Sequence, residues 1–132
     1  MAFTTLGLHR LQTLARLQVW QFNPMTARGP RLADIAVEAK RAGAHIVALT
    51  GTRFRCEENS AVLGNNNGYI TLQFGHDGRA KSSQGSSGLA VLLCNKVFRM
   101  HNIVQTYIPS GGCCCGRAVV LRLKIHTSCE SP

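Results

Sequence analysis

The first fifty residues carry a strand–helix–strand pattern, and this feature limits most strongly what the chain can fold into. Residues 17–22 (LQVWQF) alternate apolar and polar side chains, as a half-buried β-strand does. Residues 45–49 (HIVAL) form a short, nearly continuous apolar run, which is typical of a strand buried on both faces. A helix between two such strands predicts a βαβ unit with a right-handed crossover.

The segment between these two strands has the spacing of an amphipathic helix. Pro30 stands where a first helical residue is expected, because its missing N–H would have no partner in the first turn. Gly43 stands where the helix should end, as a glycine cap. Four apolar residues recur at helical spacing between these points: Leu32, Ile35, Ala36 and Ala39.

Beyond residue 50 the helical spacing disappears and short strand patterns follow. Residues 51–68 are polar and end in a turn signal (NNNG), so we expect a loop there. Residues 75–87 are rich in Gly and Ser, and they predict a second loop or the tip of a hairpin. Four further strands are predicted, at residues 69–74, 89–94, 97–108 and 118–125.

These elements predict an α/β fold, a mixed β-sheet with a β-α-β start. A single helix covers one face of a sheet, so we expect the second face of this six-stranded sheet to lack a covering layer. Because an apolar sheet face must be buried, the pattern predicts that a missing C-terminal half or a protein partner covers it.

The chain is strongly basic. Fifteen Lys and Arg residues stand against six Asp and Glu, which gives a formal net charge of +9. Such a charge favours polyanionic partners, namely nucleic acid, nucleotides or anionic lipid. No apolar run approaches the ~20 residues that a membrane-spanning helix needs, so we expect no membrane span.

Cysteine usage favours a reducing compartment. Three of the six cysteines are consecutive, at residues 113–115, and adjacent cysteines do not bridge one another without strain. No two cysteines have the spacing of a zinc-binding pair. We therefore expect free thiols and an intracellular rather than a secreted protein, with a metal or redox role for the triplet as the alternative.

The two ends of the sequence lie outside the predicted domain, which covers residues 17–126. Residues 1–16 contain arginines, leucines at helical spacing and no acidic residue. They resemble a basic organelle presequence, and a plain leader is the alternative. Residues 127–132 are expected to form a short tail.

Polar residues stand at the ends of the first two predicted strands. Asn23 follows the first strand, and Thr50, Gly51, Thr52 and Arg53 follow the second. Binding sites of open α/β sheets form at the carboxyl ends of the strands. We therefore expect Asn23 and Gly51 to lie close together, with Arg53 on the same edge, where its guanidinium can contact a phosphate.

The ordered series of segments resembles the endonuclease/exonuclease/phosphatase superfamily of Mg²⁺-dependent phosphoesterases, and within it the retrotransposon-type endonucleases. Residues 21–23 (QFN) are similar to the family's Thr-Trp-Asn motif, and residues 49–53 (LTGTR) to its Leu-Gln-Glu-Thr-Arg motif. Residues 87–91 (SGLAV) and 116–119 (GRAV) resemble two later strands of the family, in the same order. The resemblance spans residues 18–125.

The resemblance implies half of a four-layer α/β sandwich, a bound Mg²⁺ and cleavage of nucleic-acid phosphodiesters by a metal-activated water. It places Asn23 beside the metal and Gly51 where the family has its metal-binding Glu. The family's later Asp-x-Asn and Asp-His motifs have no counterpart in this sequence. We therefore expect a truncated domain with little or no catalytic activity.

Several loop residues are further candidates. The acidic residues Glu57, Glu58 and Asp77 could approach the strand ends, although solvated loop acids are the simpler interpretation. Arg79 and Lys81 could contact a nucleic-acid backbone from the Gly/Ser-rich loop. Two alternatives to an enzyme stay open: a non-catalytic basic module that binds nucleic acid or a protein, and a fragment that has no stable fold alone.

Overall fold

The predicted strand–helix–strand unit is present in the structure, a computed structural model that describes residues 16–27, 30–54, 61–75, 88–109 and 118–125. It consists of β1 (Val19–Phe22), α1 (Pro30–Ala42) and β2 (Ile46–Thr50). The two strands are parallel, and Phe22 at the end of β1 lies opposite Leu49. Both strands therefore end at the same edge of the sheet, as the sequence pattern predicts.

Helix α1 begins and ends where the sequence indicates. Gly43 adopts φ +79° directly after the helix. Its N–H donates to the carbonyl of Lys40 at 3.1 Å, and the N–H of Ala44 donates to the carbonyl of Ala39 at 2.9 Å. This pair of bonds is a Schellman motif, which satisfies two of the last helical carbonyls. The four apolar residues predicted to face the core are buried: Leu32, Ile35, Ala36 and Ala39.

The strands form two sheets. A mixed five-stranded sheet, in the order β1-β2-β5-β4-β3, also contains β3 (Val62–Asn66), β4 (Tyr69–Phe74) and β5 (Leu89–Cys94). A separate antiparallel pair consists of β6 (Ile103–Tyr107) and β7 (Val120–Leu123). The prediction of an α/β fold with a mixed sheet is confirmed at this level, whereas the prediction that all strands join one sheet is wrong.

Strand β3 falls in a segment that the sequence analysis assigned to a loop. Its residues Val62–Asn66 include a glycine and two asparagines, which have low strand propensity. The strand forms because a two-residue turn, Asn67 at φ 48° and Gly68 at φ 89°, folds it back onto β4. Turns with two positive φ values match the twist of a hairpin, so the turn residues determine the pairing here more than strand propensity does.

The strand predicted at residues 97–108 is only half correct. Val97 and Phe98 are fully buried in the turn that follows β5, and a short 3₁₀ helix (Met100–Asn102) precedes β6. The side-chain Oδ1 of the buried Asn102 accepts a hydrogen bond from the N–H of Arg99 at 2.7 Å. A side chain that accepts a hydrogen bond from a nearby backbone N–H can end an extended segment. The spacing of apolar residues alone does not reveal such a bond.

Both faces of the five-stranded sheet are covered by described residues. Helix α1 packs on one face, against Val47, Leu49 and Leu92. The β6–β7 pair packs on the other, where Leu121 and Leu123 contact a second cluster of buried apolar residues. The expectation that the second face lacks a covering layer is therefore wrong. Strands β6 and β7 form a separate pair that packs on the five-stranded sheet and not within it.

No helix in the described parts of the chain is long and apolar enough to cross a membrane. Residues 1–15 of the predicted leader (residues 1–16), the tail at 127–132 and the cysteine triplet at 113–115 lie outside the residues that the structure describes.

Tyr69 links the sheet to the end of the helix. Its side chain is almost fully buried, and its hydroxyl donates a hydrogen bond to the carbonyl of Ala44 at 2.8 Å. Burial, with a smaller contribution from the negative charge that Cys94 can carry, raises the pKa of Tyr69 from 10.0 to about 12. The neutral phenol is thus the form that the fold favours.

The pKa of Tyr69 can be measured directly in a Tyr107→Phe variant, because the chain has only two tyrosines. We expect the phenolate absorbance of the folded variant to rise with a midpoint of about 12. Since the folded pKa lies above the unfolded one, this residue stabilises the fold below pH 10 and its contribution disappears between pH 10 and 12. A midpoint near 10, with circular dichroism still native, would contradict this burial.

Candidate functional site

Three loop segments meet at the edge of the sheet where β1 and β2 end. Asn23 follows β1, residues 51–54 follow β2, and Gly88 precedes β5, the other neighbour of β2. The N–H of Ala27 donates to the carbonyl of Thr52 at 3.0 Å, and the N–H of Thr52 donates to the carbonyl of Gly88 at 3.2 Å. We call this group, Asn23, Gly51, Thr52, Arg53 and Gly88, the strand-end site.

Asn23 and Gly51 are in direct contact, as the sequence analysis expects. A Cβ atom placed on Gly51 would lie 2.5 Å from Oδ1 of Asn23 and 2.9 Å from its Nδ2. The side-chain amide of Asn23 therefore occupies the space that a side chain at position 51 would need. The same Oδ1 accepts a hydrogen bond from the N–H of Met25 at 2.8 Å, which fixes the amide in a turn.

The backbone at the strand-end site adopts conformations that side chains disfavour. Gly51 has φ +66°, and the neighbouring residues Arg53 and Met25 have φ 60° and 70°. A non-glycine residue in this left-handed region costs about 1–2 kcal/mol. Such positions cluster at sites where the backbone must take a particular path. At position 51 the conformation and the contact with Asn23 both require glycine, so a glutamate there would need a rearranged loop.

Thr52 and Gly88 hold the loops together, and the sequence analysis gave neither a structural role. Thr52 is fully buried. A Cβ atom on Gly88, which has φ +125°, would lie 2.5 Å from Oγ1 of Thr52 and 2.9 Å from the backbone nitrogen of Arg53. Glycine thus permits the close approach of the two loops. The signal available in the sequence was the lone Gly directly before a buried strand.

Arg53 lies at this edge with its side chain exposed, whereas the nearby Arg31 is bound to the loop after β1. The other predicted nucleic-acid contacts, Arg79 and Lys81, lie outside the described residues. The loop acids Glu57, Glu58 and Asp77 also lie outside them.

The described residues of the strand-end site do not fit Mg²⁺. This ion is usually held by one or two carboxylates together with water and substrate phosphate. Asn23 offers a neutral oxygen that already accepts a hydrogen bond, and Gly51 offers no side chain. The two carboxylates among the described residues, Asp34 and Glu38, belong to α1. In the same parts of the chain no group of three or more His, Cys, Asp or Glu residues could hold a metal.

Asp34 and Glu38 line a different feature, a cleft of about 280 Å³ between β1 and α1. Its apolar wall includes Trp20 and Phe22, and Arg31 lies beside them. The guanidinium of Arg31 donates to the carbonyl of Pro24 at 3.2 Å, so it ties the loop after β1 to the start of the helix.

Comparisons of the chain with protein-family models, with curated proteins and with solved structures found no match.

The contact between Asn23 and Gly51 predicts an unequal cost for two glycine substitutions. Gly43→Ala is the matched control, because Gly43 also has positive φ but no atom lies within 4 Å of its Cβ position. We expect Gly43→Ala to lower the free energy of unfolding by about 1–2 kcal/mol. Gly51→Ala should cost at least about 1 kcal/mol more, because its methyl group overlaps the Asn23 amide. Denaturant titrations of both variants measure the difference.

The double variant Asn23→Ala/Gly51→Ala tests whether the contact causes the extra cost. Removal of the amide makes room for the new methyl group, so the two substitutions should be less destabilising together than the sum of their separate effects. Additive effects, or equal costs at Gly51 and Gly43, would show that the amide does not lie against position 51.

Proposed function

We propose that this chain is a nucleic-acid-binding module built on an endonuclease/exonuclease/phosphatase-like frame, and that it does not cleave its ligand by Mg²⁺ chemistry at the strand-end site. The observation that carries the proposal is the seating of the Asn23 amide on Gly51. The pair stands at the strand ends, as the resemblance requires, while the position of the family's metal-binding glutamate is held by a glycine that the backbone itself demands.

The arrangement of layers supports the proposed endonuclease/exonuclease/phosphatase-like fold. Helix α1, the five-stranded sheet and the β6–β7 pair follow one another as helix, sheet and sheet. We propose that they correspond to three of the four layers of the α/β sandwich in that superfamily. The proposal concerns the fold of the frame and assigns no activity by itself.

Charge supports nucleic acid as the ligand. The formal net charge of +9 attracts a polyanion irrespective of its sequence. At the strand-end site the exposed Arg53 is available for a phosphate, and the two described carboxylates are on the helix. The guanidinium of Arg53 can bind a phosphate through two parallel hydrogen bonds.

A protein-binding role is the second candidate. It is favoured by the outer surface of the β6–β7 pair, where Val104, Tyr107 and Val120 are each more than half exposed. Apolar surface of this kind is typical of protein interfaces when it is contiguous. Such an interface responds weakly to salt, which separates it from binding to phosphates.

Binding to fluorescent DNA and RNA oligonucleotides should weaken steeply as salt rises, because bound phosphates release counterions. We expect Arg53→Gln to reduce the slope of log K against log salt by about 1 for a duplex and by about 0.7 for a single strand. The matched control, Arg41→Gln, removes an equal charge from the exposed end of α1 and should change the slope less. Binding that is insensitive to salt would contradict the nucleic-acid proposal and favour a protein partner.

We expect supercoiled plasmid incubated with the chain and Mg²⁺ to show no more nicking than the same reaction with a chelator. The physical reason is the lack of a carboxylate at position 51, where the resemblance implies a Mg²⁺ ligand. Nicking that requires Mg²⁺, is abolished by a chelator and is reduced in an Asn23→Ala variant would show that the strand-end site is catalytic.

A further inference from the structure

A second concave site lies at the opposite end of the sheet from the strand-end site. It is a pocket of about 260 Å³, formed where α1 and β5 end and where β2 and β4 begin. Strand β2 separates the two sites, and its five residues at ~3.3 Å each place them about 16 Å apart. We call it the amino-end pocket; the residues of interest in its wall are Lys40, His45, Gly68, Tyr69, Cys94 and Lys96.

The amino-end pocket has cationic side chains and no carboxylate in its wall. Lys40 and Lys96 line it from α1 and from the turn after β5. Over the described parts of the chain, the ion pair between Arg41 and Glu38 is the one salt bridge, so neither lysine is paired with a described carboxylate. Two lysines in one concave wall, with no carboxylate beside them, favour an anionic ligand.

Lys40 lies in the last turn of α1, where its charge also complements the helix dipole. The N–H groups of Gly43 and Ala44 already bind the carbonyls of Lys40 and Ala39 at the end of α1. The Lys40 ammonium instead lies over the β3–β4 turn, where Nζ is 3.6 Å from the position of a Cβ on Gly68. Its three N–H donors are therefore available at the mouth of the pocket.

His45 adds a donor of defined orientation. Its Nδ1 accepts a hydrogen bond from the N–H of Gln18 at 2.8 Å, so the neutral ring carries its hydrogen on Nε2. That Nε2–H has no hydrogen-bond partner among the residues that the structure describes. The pocket thus combines two cations with a neutral N–H donor, a set that suits the oxygens of a phosphate.

We propose that the amino-end pocket binds a phosphate monoester, with its phosphate group held between Lys40 and Lys96 and by the Nε2–H of His45. The volume of about 260 Å³ accommodates the phosphate group and leaves room for part of the esterified group. The inference goes beyond the proposed function, because it concerns other residues at the other end of the sheet and holds whether or not the strand-end site binds nucleic acid.

Alkylation of the Cys94 thiol can report whether a ligand occupies the pocket. Cys94 is a free, partly exposed cysteine in the pocket wall, and a bound ligand should shield it from alkylation. The full chain is treated with N-ethylmaleimide under native conditions, and the modified fraction of the Cys94 peptide is measured by mass spectrometry. The probes are inorganic phosphate, adenosine 5′-monophosphate and adenosine, at constant ionic strength.

We expect phosphate and the monophosphate to slow alkylation of Cys94 in a saturable manner, and adenosine to have no effect. The double variant Lys40→Gln/Lys96→Gln should weaken the apparent affinity for the monophosphate by at least about tenfold, because each charge-assisted hydrogen bond is worth that much. The control Arg41→Gln/Lys124→Gln removes two positive charges outside the pocket wall and should retain the affinity.

A 5′-phosphorylated oligonucleotide and its unphosphorylated counterpart identify the source of the phosphate. Protection by the monophosphate alone assigns a free small molecule, and protection by the phosphorylated oligonucleotide as well assigns a nucleic-acid end; both support the proposal. The proposal would be overturned if Cys94 were alkylated at the same rate with and without every phosphate probe. Equal affinity for the monophosphate in the two double variants would overturn it as well. If the lysine variant does not fold, the comparison of monophosphate with adenosine in the unaltered chain still decides.

Discussion

The parallel pairing of β1 with β2 determines where the strand-end site lies. Because α1 carries the chain back across the sheet, the segments after the two strands emerge side by side. They fit together only because position 51 is a glycine: its φ is +66°, and the Asn23 amide occupies its Cβ position. Backbone hydrogen bonds of Thr52 also join these loops. The loops can approach this closely because position 88 is a glycine.

This constraint bears on the glutamate that the proposed family frame would place at position 51. A glutamate at position 51 would require both a disfavoured backbone conformation and displacement of the Asn23 side chain. The neutral amide and the glycine are thus mutually adapted. At the strand-end site a neutral amide and a glycine lie beside an exposed arginine.

The two ends of the sheet differ in the polar groups that they offer. At the carboxyl ends of β1 and β2 the backbone is shaped by glycines, and Arg53 supplies one cation. At the other end, Lys40, Lys96 and His45 surround a pocket without a described carboxylate. In a chain with a formal charge of +9, we propose that one end contacts the phosphates of a nucleic acid and the other a small phosphate ester.

The sequence predicted those parts of the fold whose signals are local. The apolar spacing of α1, the cap at Gly43 and the adjacency of Asn23 and Gly51 all follow from patterns within about thirty residues. Strand β3 was missed because pairing through the Asn67–Gly68 turn outweighs its weak propensity. The covering of the second sheet face by β6 and β7, and the amino-end pocket, depend on contacts between distant segments that periodicity does not encode.

The contact between the Asn23 amide and Gly51 is the central claim, and nuclear Overhauser spectroscopy of the isotope-labelled chain tests it most directly. We expect a cross peak between the side-chain amide protons of Asn23 and an α-proton of Gly51, since Nδ2 lies 2.9 Å from the Cβ position of Gly51. Absence of this peak, in spectra where the cross-strand peaks between β1 and β2 are present, would contradict it.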